Sequence, residues 1–281
     1  MRETRVVLSG LGFPESTRWH GGRTWLCNWG TGEVLAVTPG GEHDTVARLA
    51  PRTLPFSIDW LPDGRLLVTG DKLRRQEPDG SLVVHAEQGG NEIVVDGRGN
   101  IYLNGADFDF VAGAPPEPGY IKVVTPDGRL RQVAGDIAFP NGMVITQDDR
   151  TLIISESFAG CLTAFDIDGD GGLSNRRVFA DGVAPDGICL DAEGAVWTSA
   201  GMSTVVRVAE GGQVLQRIDL RENRAPFAVM LGGPDRRTLF VLTAEWRPAD
   251  DHVVNLDRLA NGPRTGEILA IPVSVPGVGR P

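Results

Sequence analysis

The sequence has no run of eighteen apolar residues, which excludes a membrane-spanning helix. It has no basic cluster either. Arg74–Arg75 and Arg176–Arg177 are short pairs, and the net charge is −10, so a surface for nucleic-acid phosphates is not expected. Cysteine is scarce: Cys27, Cys161 and Cys189 are odd in number and widely spaced, fitting neither a disulfide framework nor a zinc pattern. Each lies in an apolar strand-like run and reads as a reduced core residue. The opening MRETRVVLSG lacks an apolar signal core, so a cytoplasmic location is expected. No G-x-S-x-G elbow accompanies His20, His43, His85 or His252, which argues against a serine triad. Sustained helical periodicity is missing throughout.

What is present is turn chemistry. Glycine accounts for 37 of 281 residues, nearly double the usual share, and Asp-Gly occurs eight times between apolar alternations, a hairpin signal. A unit recurs: a polar turn, then a strand ending in small or polar residues. Its copies are GGRTWLCNW at Gly21, DGRLLVTGD at Asp63, RGNIYLNG at Arg98, DDRTLIISES at Asp148, EGAVWTSA at Glu193 and DRRTLFVLTA at Asp235, in steps of 42, 35, 50, 45 and 42 residues. A second strand follows most copies, as in GEVLAV, YIKVVT and CLTAFDI. Six such units predict an all-β chain folded as a six-bladed β-propeller, one domain over residues 1–281. RVVLSG at Arg5 and GEILAIPVSV at Gly266 are the strands expected to pair and close the ring. Two β-sandwiches are the rival architecture, but no linker divides the chain. GAPPEPG at Gly113, following ADFDF, reads as a loop inserted within a repeat, over about residues 105–119. DIDGDGG at Asp166 imitates a calcium loop, but Arg177 stands where its glutamate belongs, so a hairpin turn is expected.

About nine residues before each aligned position the chain reads FPES, LPFSI, GGNEI, FPNGM, APDGI and APFAV. In a propeller these are the starts of the innermost strands, so equivalent positions converge on one mouth of the central channel. Their polar occupants are Glu15, Asn91, Asn141 and Asp186. Two carboxylates and two carboxamides make an oxygen-rich cage suited to a hard divalent cation such as calcium, magnesium or manganese.

FPESTRW, PNGMVITQDDRTLIISES and PDGICLDAEGAVW resemble segments of the senescence-marker-protein, gluconolactonase and regucalcin family, in register from about Val6 to Val273. The resemblance implies one catalytic divalent metal held by Glu15, Asn141 and Asp186, with Asn91 beside it touching substrate. Calcium is the expected ion, with magnesium, manganese, zinc or iron as alternatives. It implies hydrolysis of a lactone, a small-molecule substrate: the metal polarises the carbonyl, and Asp186 acts as general base for water. A metal-bound hydroxide is the alternative nucleophile. A regulatory calcium-binding propeller without turnover, and a non-hydrolytic cyclase or lyase, are the alternative functions. The chain also departs from the family pattern. Gly89 stands where sugar-lactone members often carry arginine, and Asn28 and Trp29 occupy a place where aspartate is frequent. The rim is aromatic, with Phe13, Trp29, Phe56, Phe108, Phe110, Phe158, Phe227 and Trp246. Of these, Phe56, Phe108 and Phe227 are the expected substrate contacts, which points to a substrate less polar than gluconolactone. His252, in the acidic stretch PADDHVVNLD, is expected in a loop over the channel mouth.

Overall fold

The computed structural model describes residues 4–50, 54–110 and 112–278. Strand β1 (Arg5–Leu11) precedes the first sheet, β2 (Pro14–His20), β3 (Arg23–Asn28), β4 (Glu33–Val37) and β5 (His43–Arg48). The second sheet is β6 (Ile58–Trp60), β7 (Leu66–Val68), β8 (Leu73–Gln76) and β9 (Leu82–Ala86). The third is β10 (Ile93–Val95), β11 (Ile101–Ala106), β12 (Gly119–Val124) and β13 (Leu130–Ile137). The fourth is β14 (Pro140–Ile145), β15 (Thr151–Glu156), β16 (Cys161–Ile167) and β17 (Leu173–Asp181). The fifth is β18 (Cys189–Leu190), β19 (Val196–Ser199), β20 (Thr204–Val208) and β21 (Val214–Asp219). The sixth takes β22 (Arg224–Gly232), β23 (Thr238–Glu245) and β24 (Gly266–Pro272), and β1 returns to complete it. The molecule is a six-bladed propeller. The six repeated motifs of the sequence are β3, β7, β11, β15, β19 and β23.

Closure follows the expected pairing. β1 runs antiparallel to β24, with Arg5 opposite Ala270 and Leu11 opposite Gly266. Inner strands meet their neighbours around the ring: β2 touches β6 and β22, β10 touches β6 and β14, and β18 touches β14 and β22. The apolar core is therefore divided into six wedges, one between each pair of adjacent blades. Leu67 and Leu73 meet Ile93 and Ile101 in one of them, and Phe179 meets Val196 and Val206 in another. Each fully buried leucine or isoleucine contributes about 1.5–3 kcal/mol.

Asp-Gly hairpins supply several turns, with left-handed glycines at Gly64, Gly80 and Gly128. The DIDGDGG segment is one such turn between β16 and β17, where Asp168 N donates to Gly172 O at 2.8 Å. Below the channel the chain end crosses the ring. Asp191 bridges to Gly277, and Ala192 N donates to Pro276 O at 2.8 Å.

One element departs from the all-β expectation. His252 does not lie in a loop; it begins the helix α1 (His252–Asn261). The Asp251 side chain accepts from Val253 N and caps the first turn. Asn255, Leu256 and Leu259 turn inward and hold α1 on the propeller, so ten residues suffice without a long periodic pattern. Among the described residues no helix is long and apolar enough to cross a membrane.

Candidate active site

Three inner strands carry a β-bulge where a candidate residue stands. The ladder shifts between Glu15 and Arg18 in β2, between Pro140 and Met143 in β14, and between Pro226 and Ala228 in β22. A bulge re-aims side chains that a regular strand would point elsewhere. Ser16 adopts a left-handed φ of 48° beside Glu15, and Phe139 one of 60° just before the Pro140–Asn141 bulge. Gly142 and Gly187 are not left-handed. They are glycines because the strands touch: a Cβ on Gly142 would sit 2.7 Å from Asp186 O, and one on Gly187 2.7 Å from Ala228 Cα. PNG and PDG thus work here as contact points between blades rather than as turns.

Glu15, Asn91, Asn141 and Asp186 line one small cavity of about 110 Å³ at the channel mouth. Hydrogen bonds to backbone carbonyls fix three of the four. Asn104 Nδ2 donates to Asn141 O at 2.7 Å, Ser155 Oγ to Asp186 O at 2.7 Å, and Asn91 Nδ2 to Pro140 O at 3.1 Å. Burial holds the Glu15 carboxyl well above its ordinary range, and the Asp186 and Glu92 charges raise it further, against one bond from Ser16 N. Burial, then the Glu92 charge, pushes Asp186 up to about 8, with the neighbouring Asn141 side chain and Gly187 amide acting in the opposite direction. Asp186 Oδ1 is nonetheless buried without a hydrogen-bond partner. Beneath, Arg18 is committed to Glu92, its Nη2 at 2.9 Å from Glu92 Oε2 and 2.8 Å from Ile93 O.

Such a buried, unpartnered carboxylate oxygen is costly unless a cation satisfies it. Two carboxylates and two carboxamides supply oxygen donors suited to a hard divalent ion. Among the described residues no group of three His, Cys, Asp or Glu side chains is placed to hold a metal, so the amides are integral to this donor set.

The cavity walls are Phe13, Trp29, Phe110, Phe139, Phe227, Trp246, His252 and Leu256. Phe227, one of the expected substrate contacts, lines this cavity. Phe108 lines a larger adjoining cleft of about 580 Å³, which shares Asn91, Phe110 and Phe139 with the cavity. Phe56 is at neither wall. It is fully buried, and its carbonyl accepts from Trp29 Nε1 at 2.6 Å, so Trp29 stands between it and the channel. Phe158 is exposed and stacks on Phe139, centroids 4.3 Å apart. Phe139 and Glu92 are the residues missed from sequence. Phe139 precedes Pro140 as Phe13 precedes Pro14, and that shared dipeptide was the available signal. Glu92 follows Asn91 and had no repeat equivalent to mark it.

The description "SMP-30/Gluconolactonase/LRE-like region" fits residues 79–245. The chain belongs to this family. Among curated proteins it is 31% identical over 170 residues to a 6-deoxy-6-sulfogluconolactonase of Pseudomonas putida, covering 58% of this chain and 56% of that one. It is 24% identical over 259 residues to a pentonolactonase of Haloferax volcanii, covering 87% and 86%. The chain thus spans just over half the length of the sulfogluconolactonase. A solved regucalcin from Agrobacterium tumefaciens superposes with a TM-score of 0.79 at 22% identity, over 100% of this chain and 97% of that one. A luciferin-regenerating enzyme gives 0.82 at 16%, over 100% and 98%. At these identities the likeness of this chain to both structures is one of fold.

Proposed function

We propose that the protein is a metal-dependent lactone hydrolase. The observation that carries this reading is the unpartnered Asp186 Oδ1, buried beside Glu15 and Asn141 in one aromatic-walled cavity. The names of the lactonase relatives agree with it. Glu15, Asn141 and Asp186 would hold the ion, with calcium expected from the all-oxygen donor set. When bound, the ion supplies Lewis-acid polarisation of a carbonyl and charge for the tetrahedral oxyanion.

The chain's own residues do the rest. Asn91 lies where cavity and cleft join and orients the lactone ring. Phe13, Phe227 and Trp246 exclude bulk water from the reacting carbonyl. Asp186 takes the proton from the attacking water as its oxygen bonds to the carbonyl carbon. The ring C–O bond then breaks, and the proton passes to the departing alkoxide, leaving a hydroxy acid.

The test is proton release from a lactone panel with chelator and after restoration with single divalent ions. Turnover should need an ion. Asp186→Asn should lose at least about a hundredfold in kcat with its circular dichroism unchanged. Undiminished turnover in that variant, or in the presence of chelator, would overturn the reading.

A further inference from the structure

The adjoining cleft bears on the substrate. Its volume, about 580 Å³, falls among pockets that hold drug-sized ligands of about 300–1,000 Å³ and exceeds what a bare lactone ring requires. One wall is a phenylalanine cluster. Phe139 lies 5.8 Å from Phe108, 5.5 Å from Phe110 and 4.3 Å from Phe158 between ring centroids. Phe158 backs Phe139 outside the cleft lining and leaves 54% of its surface in water, and the lining residues Phe108, Phe110 and Phe139 are only half-buried. An aromatic group left open beside a buried polar site is a binding surface.

The polar lining is in large part already engaged. Gln88 Nε2 donates to Gly89 O at 2.8 Å and to Tyr120 OH at 3.4 Å, and its Oε1 accepts from Lys122 Nζ at 2.8 Å. Both Asp71 oxygens accept from Arg74, at 2.7 and 3.1 Å. Asp109, between Phe108 and Phe110 in the chain, accepts at Oδ1 from Ala112 N at 2.9 Å. The floor is bare backbone: a Cβ on Gly89 would stand 1.9 Å from Gly70 O, and one on Gly90 2.5 Å from Asn104 O. No side chain fits there to grip a hydroxyl or an anion. Among the described residues, the lining carries two aspartates and neither lysine nor arginine.

We infer that the substrate is an uncharged lactone carrying an aromatic or bulky alkyl arm. The ring sits at Asn91, and the arm lies along Phe108, Phe110 and Phe139. A polyol chain finds few free partners in this cleft, because displacing an internal bond returns little. An anionic arm meets no lysine or arginine among the described lining residues. The inference rests on the lactone-hydrolase reading for its ring, while the cleft alone determines the arm.

The experiment compares four lactones with the metal-loaded protein: valerolactone, valerolactone bearing a ring phenyl group, gluconolactone, and gluconolactone phosphorylated at its terminal hydroxyl. The phenyl lactone should exceed gluconolactone in kcat/KM by about tenfold or more, the expected return for burying an aryl group. In Phe108→Ala the advantage of phenyl-valerolactone over valerolactone should fall severalfold. Equal or better turnover of gluconolactone or its phosphate would overturn the inference. Binding of non-hydrolysable ethers separates this outcome from a failure of the hydrolase reading. Phenyl-tetrahydropyran, anhydroglucitol and anhydroglucitol phosphate are titrated against the intrinsic tryptophan fluorescence, to which Trp29 and Trp246 at the cavity wall contribute. If no lactone is opened with any ion but the phenyl ether binds tightest, the chemistry fails and the ligand class stands. Tighter or equal binding of the polyol or its phosphate sinks the ligand class.

Discussion

Asp59 has no place in the proposed chemistry, yet it ties two blades together. Its Oδ1 accepts from Trp60 N and its Oδ2 from Val95 N of the neighbouring blade, each at 2.8 Å. Burial, the largest influence, raises its carboxyl to about 6, against the Arg18 charge and these two bonds. The folded chain therefore takes up a proton that the unfolded chain, near the ordinary aspartate value of about 4, has already lost. This group's contribution to stability is complete below about pH 4. It is lost as the pH rises through about 6 and is constant above. Between pH 4.5 and 7.5, stability measured by urea midpoints should fall in the wild type relative to Asp59→Asn, by on the order of 2 kcal/mol. Parallel pH profiles for the two proteins would refute the assignment. At this scale the sequence was legible in part. Glu15, Asn91, Asn141 and Asp186 were readable because repetition gave each an equivalent position. The reason for Gly142 and Gly187 was not, since a glycine serving strand contact spells the same as one serving a turn. Phe56 shares the repeat position of Phe227 in the sequence but is fully buried beside Trp29, which lines the cavity in its place.

Among the elements, α1 and the segment between β11 and β12 form the roof of the site. His252 and Leu256 reach the cavity from the helix, Phe110 reaches it from the inserted segment, and a Cβ on Gly113 would lie 2.9 Å from Val253 Cγ2. The two therefore touch above the channel mouth. The helix rests on its Asp251 cap and on Asn255, whose Oδ1 accepts from Arg247 N and whose Nδ2 donates to Arg247 O. Asp251→Ala should cost about 1 kcal/mol of local stability. Amide exchange should quicken at residues 252–256 while the inner strands stay protected, as hydrogen-exchange mass spectrometry would resolve. Uniform quickening across the chain would show that α1 is part of the global unit instead. The strands were legible because apolar alternation and Asp-Gly turns mark them. The helix was not: its apolar stripe is Leu256 and Leu259, too little to register against the strand pattern around it.

For the whole molecule, the ring depends on a strand from one end of the chain completing the sheet made by the other. β1 buries Val7 and Leu11 against the sixth blade. Deleting residues 4–11 should remove about 3–6 kcal/mol of apolar burial and leave β24 as an open edge. The expected result is a lower urea midpoint together with aggregation on heating; an unchanged midpoint would mean that closure matters little. Of the architecture, the blade count and the closing pair were legible, because both follow from a period and its two ends. The partition of the core into six wedges was not, since it appears only when neighbouring blades are set side by side.

The filling of the channel has a kinetic meaning. Below the carboxylates, the Arg18–Glu92 pair and the side chains of Val94, Met143, Ile188 and Met230 leave a void of only about 30 Å³, with Gly277 and Val278 across its base. Among the described residues, that void is too small to pass a lactone. On the proposed reading, product would leave by the mouth through which the next molecule arrives, so a bulky product held along the phenylalanine wall would delay its own successor.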